Sequence, residues 1–269
     1  MTYTTFKRGG HARSRRAFLE ASAAITAAAV GYRTTSAEAA QPAASAAELG
    51  QASGVELPAF RDLFNGRDFT GWRPMANDDH TWSVRDGMIV CSGHPNGILR
   101  SDKQYENFIA QLDWMHMEPG GNSGFYIWTD SPPDDGKLPK AIEIQILELD
   151  WVKLNTKEGS PPPPIAYVHG ELIPVNGFKF VADTPRGNRS MSIENRAKGR
   201  GEWNTYTVVA IDGVVKLAVN GKFVNGVSQS SQKKGYIGLQ SEGAEIHFRN
   251  LKIMELPPGV TTAEQTAPE

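Results

Sequence analysis

An antiparallel all-β sandwich or jelly roll is the fold that this 269-residue sequence predicts, and three observations carry it. Short segments in which apolar and polar residues alternate recur at 82–85, 88–91, 97–101, 107–116, 123–130, 141–149, 203–212, 214–220, 223–227, 235–241 and 244–255. A period of two marks a strand with one buried face. Three of the gaps hold Asp86-Gly87, Asp212-Gly213 and Asn220-Gly221, the dipeptides that two-residue hairpins favour. Past the first 39 residues no long segment carries the 3.6-residue period of an amphipathic helix. A closed barrel would satisfy the same pattern and stays an alternative.

Residues 1–39 read as a leader. Ser14-Arg15-Arg16-Ala17-Phe18-Leu19-Glu20 has the twin-arginine pattern of a Tat export signal, followed by the apolar run Ala21–Val30 and the small-residue site Ala37-Glu38-Ala39. The run is shorter than the ~20 apolar residues of a membrane-spanning helix. A mature chain starting near Ala40 and working in the periplasm or outside the cell is therefore expected, with no transmembrane span. The whole chain has 28 Lys+Arg and 30 Asp+Glu; the leader's six basic and two acidic residues reduce these to 22 and 28, a formal charge of −6. Such a balance lacks the basic footprint that nucleic acid or an anionic membrane requires, and suits a neutral substrate.

Beyond the leader, 40–57 is an Ala/Ser/Gln-rich flexible spacer, 58–256 is the domain and 257–269 is a polar tail expected to be mobile. The single cysteine, Cys91, forms no internal disulfide and closes the strand Met88-Ile89-Val90-Cys91, where a buried thiol is inert. Within 141–149 the alternation sets Ile142, Ile144 and Ile146 on the core face and Glu143 and Gln145 on the other. Residues 151–202, with Pro161–Pro164, read as a long excursion with one hairpin; the prolines favour an extended polyproline segment, read as a rigid strap with no ligand role. The stretch 235–251 reads as strand, Gly turn, strand, with Gln240, His247, Arg249 and Asn250 on a polar face.

Several of these residues could carry chemistry, and each has a plain structural alternative. Glu143 is the candidate general base, since partial burial raises a carboxyl pKa; the alternative is a surface Glu paired with a Lys or Arg. Asn122 and Ser123 lie in a Gly-bracketed turn where a ligand can approach closely, or simply serve the turn. His169, after the strand-like Ile165–Val168, is a candidate acid or a solvated loop residue. Arg249 could stabilise a developing anion, or pair with Glu143 or Glu245. Trp128 and Trp151 are candidate stacking platforms, whereas Trp72, Trp82 and Trp203 suit the core.

The segments LFNGRDFTGW (63–72), WSVRDG (82–87), GGNSGFYI (120–127), IEIQILE (142–148), GEWNTYTVV (201–209), LAVNGKFV (217–224) and GYIGLQ…FRNLKI (235–253) follow one another in an order that resembles the DUF1080 proteins. These are described as 3-keto-α-glucoside-1,2-lyase/3-keto-2-hydroxyglucal hydratase, or 3-keto-disaccharide hydrolase, domains. The resemblance spans roughly Phe60 to Leu256. It implies a concanavalin A-like two-sheet jelly roll and a carbohydrate-directed enzyme. A 3-keto group acidifies the C2 proton, so Glu143 would remove it, the C1 oxygen would leave, and water would add back for net hydrolysis. His169 is next in line as base and Arg249 would face the enolate. Asn122, Ser123, Trp128, Gln145 and Gln240 would bind the sugar. No paired glycosidase carboxylates and no nicotinamide are called for. A divalent ion would fit the enolate, and Glu143, Glu148, Asp150 and His169 supply ligand types without a compact motif, so the metal stays open. The competing class is a non-catalytic carbohydrate-binding sandwich of the cell envelope, since a fold does not decide function; a structural envelope protein is a third.

Overall fold

The computed structural model describes residues 58–75, 80–131, 138–162 and 169–268, all within the compact unit Glu56–Glu269. The leader 1–39, the spacer 40–57, the segment Ile165–Val168 and the end of the proline run lie outside the described residues.

Among the described residues seventeen strands, numbered in chain order, form two sheets in which every named pair is antiparallel. The eight-stranded sheet runs β11 (Pro185–Arg186), β12 (Arg189–Ser190), β9 (His169–Val175), β8 (Ala141–Leu147), β7 (Asn122–Thr129), β16 (Tyr236–Ser241), β5 (Gly97–Ser101), β2 (Trp72–Met75). The nine-stranded sheet runs β10 (Val181–Ala182), β15 (Lys222–Ser228), β14 (Val214–Val219), β13 (Asn204–Ile211), β6 (Phe108–His116), β17 (Ile246–Glu255), β4 (Met88–Cys91), β3 (Trp82–Arg85), with β1 (Arg61–Asp62) on β17. The result is a two-sheet antiparallel sandwich of the jelly-roll kind. The three DG and NG pairs make the turns β3–β4, β13–β14 and β14–β15. Both residues of each pair have positive φ, as Asp86 at 52° and Gly87 at 76°, which matches the twist of the flanking strands.

One continuous core fills the space between the sheets. Phe125, Ile127, Ile142, Ile144, Ile146 and Leu239 from one sheet meet Phe108, Trp114, Tyr206, Val208 and Phe248 from the other. Fully burying a side chain of this size contributes roughly 1.5–3 kcal/mol, so the isoleucines of β8 fix its register firmly. At the register shift between Ile144 and Ile146, two groups of the nine-stranded sheet reach across. The Tyr206 hydroxyl donates to the Gln145 carbonyl at 2.7 Å, and His116 Nε2 lies 3.2 Å from the Ile146 carbonyl.

Three expectations change. The excursion 151–202 contains a short helix, α1 (Trp151–Leu154), the hairpin β11–β12, and a full strand, β9, paired along β8. The stretch 235–251 is a corner between sheets: β16 belongs to the eight-stranded sheet and β17 to the other. Gly243 N donates to the Gly93 carbonyl at 2.8 Å, and Gly93, at φ 82°, lets the backbone of Ala244 approach where any Cβ would collide. Finally, 257–268 docks on the domain. Gly259 N and Thr261 Oγ1 donate to Glu106 Oε1 at 3.1 and 2.6 Å, and Ala267 N to the Lys234 carbonyl at 2.8 Å. Among the described residues no helix is long and apolar enough to cross a membrane.

Candidate functional site

The outer face of the eight-stranded sheet carries polar groups that are buried although they point away from the core. The register places Arg73, Arg100, Gly238, Tyr126, Glu143 and Ile173 in one row across β2, β5, β16, β7, β8 and β9. Beside it Gln240 stands opposite Ile98, and Gly124 opposite Gln145. Ile98, Tyr126 and Ala141 form a small apolar cluster on this face, with Val175 against it.

Glu143 is the centre of the arrangement. It is only 7% exposed, and its pKa rises from the ordinary 4.5 to about 7. Burial is the largest cause; the charges of Glu242 and Glu171 add to it, while the Tyr126 hydroxyl and Arg189 oppose it. Near neutral pH this carboxyl is therefore poised between base and acid. A Cβ on Gly124 would stand 2.9 Å from Glu143 Cγ and Oε1 and from Tyr126 Cε2, so only glycine lets the carboxyl lie over β7. The Tyr126 hydroxyl is close enough to the carboxyl to oppose the rise in its pKa, and among the described residues it makes no regular hydrogen bond. Burial first, then the charges of Glu143 and Glu242, raises its pKa and keeps it protonated.

The surroundings are fixed by side-chain bonds. Gln145 Nε2 donates to Asn122 Oδ1 at 2.7 Å and to the Ser123 carbonyl at 3.1 Å. Gln240 Nε2 donates to Glu242 Oε2 at 2.8 Å, while Gln240 Oε1 is buried without a donor among the described residues. On β9 the fully buried Glu171 accepts from Arg186 Nε at 2.8 Å, from Arg186 Nη2, and from Arg189 Nη1 at 3.2 Å. The two arginines stand on the hairpin β11–β12, which they thereby hold against the sheet.

Of the residues singled out from the sequence, Glu143, Gln145, Asn122 and Gln240 meet on this face, while Ser123, Trp128, His169 and Arg249 do not. Ser123 alternates inward; its hydroxyl is sealed and donates to the Gln240 carbonyl at 2.7 Å. Trp128 is 0% exposed in the main core, with Nε1 donating to the Glu106 carbonyl at 2.8 Å, so it offers no stacking surface. His169 stands opposite Ile146 and shares that residue's interior side. Burial lowers its pKa to about 4, leaving a neutral ring whose nitrogens have no hydrogen-bond partner among the described residues. Arg249 is on the other sheet: its guanidinium lies 3.8 Å over the Trp203 ring and Nε is 3.4 Å from Asp113 Oδ2. Its expected pairing with Glu143 or Glu245 is replaced by Asp113: Glu143 is on the other sheet, and Glu245 is taken by His247 and Arg85. Glu148 Oε2 accepts the backbone N–H of Gly120 and of Asp150, each at 2.8 Å, and so serves the loop.

Sequence reasoning missed Tyr126, Arg100, Glu171, Glu242 and the Arg186–Arg189 hairpin. The signal for Glu171 was its place beside Leu172 in HGELIPV, and for the hairpin the turn Arg186-Gly187-Asn188-Arg189. Among the described residues no three of His, Cys, Asp and Glu converge as a metal-holding group.

Comparison with known proteins adds a family to this geometry. Residues 59–254 match the model of the 3-keto-alpha-glucoside-1,2-lyase-like domain. The 3-keto-disaccharide hydrolase of Bacteroides thetaiotaomicron is 22% identical over 248 residues, covering 75% of this chain and 80% of the relative. Two crystal structures from Parabacteroides distasonis, each described as a glycosyl hydrolase, share the fold. One superposes with TM-score 0.59 at 24% identity over 78% of this chain and 97% of its own. The other gives 0.52 at 22% identity over 74% and 100%.

Proposed function

The chain belongs to the 3-keto-alpha-glucoside-1,2-lyase-like domain family, and from that premise we propose that it is a carbohydrate-active enzyme cleaving 3-keto-glycosides on the outer face of the eight-stranded sheet. The observation that carries the proposal is Glu143, a buried carboxyl poised near 7 amid hydrogen-bonding groups.

The chemistry starts at the C2–H bond, whose electrons pass to the 3-keto oxygen as ionised Glu143 takes the proton. The enolate then reforms the ketone and expels the C1 oxygen, leaving a C1–C2 double bond. Protonated Glu143 and the Tyr126 hydroxyl are the two donors at hand for the departing oxygen, and Tyr126 stays protonated through this range. Water adding at C1, with a proton returned to C2, completes net hydrolysis. Gln145 and Gln240 are held by their own bonds in position to orient the ring. In the same proposal the sandwich is of the concanavalin A-like kind, with the sugar lying across the strands. Ser123, Trp128, His169 and Arg249 have no part in the step.

Sugar release from 3-keto-trehalose and other 3-keto-glucosides tests the proposal, run with and without chelator to decide whether a divalent ion joins the enolate. Release is expected; binding of these sugars with no release from any would favour a carbohydrate-binding module instead. Export through the leader belongs to the same proposal, resting on Arg15-Arg16. Lys at both positions should hold the precursor in the cytoplasm, and unchanged export would remove the Tat route.

A further inference from the structure

We propose that Arg100 is an anion-recognition residue, so that the sugar held on this face is an acidic one whose carboxylate lies at β5. The inference rests on the proposed function only in taking this face as the place where a sugar binds.

Arg100 points outward from β5 beside Ile98, while Leu99 between them is in the main core. It is 5% exposed, and its guanidinium carbon lies 3.6 Å from the centroid of the Tyr236 ring, which fixes the plane of the group. Nε and Nη1 are both buried without an acceptor among the described residues. Other arginines of the domain are engaged: Arg186 and Arg189 with Glu171, Arg196 with Glu194, Arg249 with Asp113, and Arg73, opposite Arg100 in register, with Asp102 at 3.6 Å. A buried guanidinium with two nitrogens lacking an acceptor is costly, and a packed apolar side chain would fill its place more stably. A ligand carboxylate removes that cost, because its two oxygens match the planar fork of donors.

The neighbourhood is cationic along the same face. One step beyond Arg100, a cavity of about 380 Å³ is lined by Asp102, Gln104, Lys234 and Tyr236. Its carboxylate, Asp102, is taken by Arg73; the Lys234 ammonium has no ion pair among the described residues; and Gln104 Oε1 is buried without a donor. The opposite pole is acidic, with Glu143 and Glu242. Three strand spacings separate Arg100 from Glu143, about 14 Å between Cα positions. That span suits two linked rings: the one losing its C2 proton at Glu143, and its neighbour bearing the carboxylate at Arg100.

The test uses the full chain in 0.15 M salt, titrated by NMR with methyl α-D-glucuronide and with methyl α-D-glucoside. Wild type is expected to bind the glucuronide about tenfold or more tighter. Arg100→Met should abolish the preference while leaving glucoside binding unchanged, and should melt at or above the wild-type temperature, since a neutral side chain replaces an unpaired charge. Arg100→Lys, keeping the charge without the fork, should restore part of the preference. Equal wild-type affinity for the two probes, a preference retained in the Met variant, or a Met variant that melts well below wild type would each overturn the proposal. Turnover of 3-keto-glucosides without acid preference would leave the proposed function standing and remove this subsite. Acid preference without turnover would do the reverse.

Discussion

The two outer faces of the sandwich carry similar residue types in opposite states. On the outer face of the nine-stranded sheet the charged groups are paired: Asp113 accepts from Thr205 Oγ1 and Asn250 Nδ2, both at 2.7 Å, and from Arg249 Nε at 3.4 Å, while Lys216 meets Asp183. On the eight-stranded sheet Glu143 is deeply buried, and the Tyr126 hydroxyl, two nitrogens of Arg100 and Gln240 Oε1 are buried with no hydrogen-bond partner among the described residues. Burial without partners costs free energy, so a face that keeps it is built for something other than stability. The satisfied face, built from the other strands of the same domain, shows that pairing of this kind was open to the fold.

Substitutions can break that contrast. The largest effect is expected from Glu143→Gln, which keeps shape but removes the base; turnover should fall ~10²–10⁴-fold with the fold intact. Steady-state rates together with a far-UV spectrum check it, and near-normal turnover would move the base elsewhere. Gly124→Ala comes next, since its Cβ would force Glu143 and Tyr126 aside; a displacement of this order costs about 10²-fold. Unchanged kinetics in that variant would mean that the carboxyl does not work from above β7.

The pKa of Glu143 also makes a stability prediction. Because its folded value is raised from 4.5 to about 7, the folded protein keeps a proton that the unfolded chain releases. This contribution is fully present below about pH 4.5 and is lost as pH rises to 7. The Gln variant escapes the loss, so its stability relative to wild type should improve by on the order of 3 kcal/mol across that window. Urea melts at several pH values measure it, and a constant difference would contradict the raised value. The smallest effect belongs to the other face: Arg249→Ala should cost about 1 kcal/mol or less and leave turnover unchanged. A large loss of rate would erase the contrast between the faces.

Much of this architecture could be read from residue order. Segments 82–85, 88–91 and 97–101 coincide with β3, β4 and β5 because their neighbours are turn residues of unambiguous geometry. β2 and β9 escaped because each contains a proline, Pro74 and Pro174, which argues against a strand unless the ladder does not need that N–H. β2 ends its sheet, and β9 meets β12 only at Leu172, so both prolines are tolerated. Glu143 and Gln145 were readable since the flanking isoleucines fix their side. Arg249 was not, because alternation assigns a face within a sheet and says nothing of which sheet a strand joins. Tyr126 hid for a related reason: in Phe125-Tyr126-Ile127 an aromatic facing the site looks like one facing the core.

The most direct test of the central claim is hydrogen exchange at C2. A 3-keto-glucoside turned over in D₂O should carry solvent deuterium at C2, in product and in recovered substrate whenever the enolate returns. Glu143→Gln should suppress that incorporation along with turnover. Sugar release with the C2 hydrogen fully retained would contradict proton abstraction, and with it the role given to Glu143.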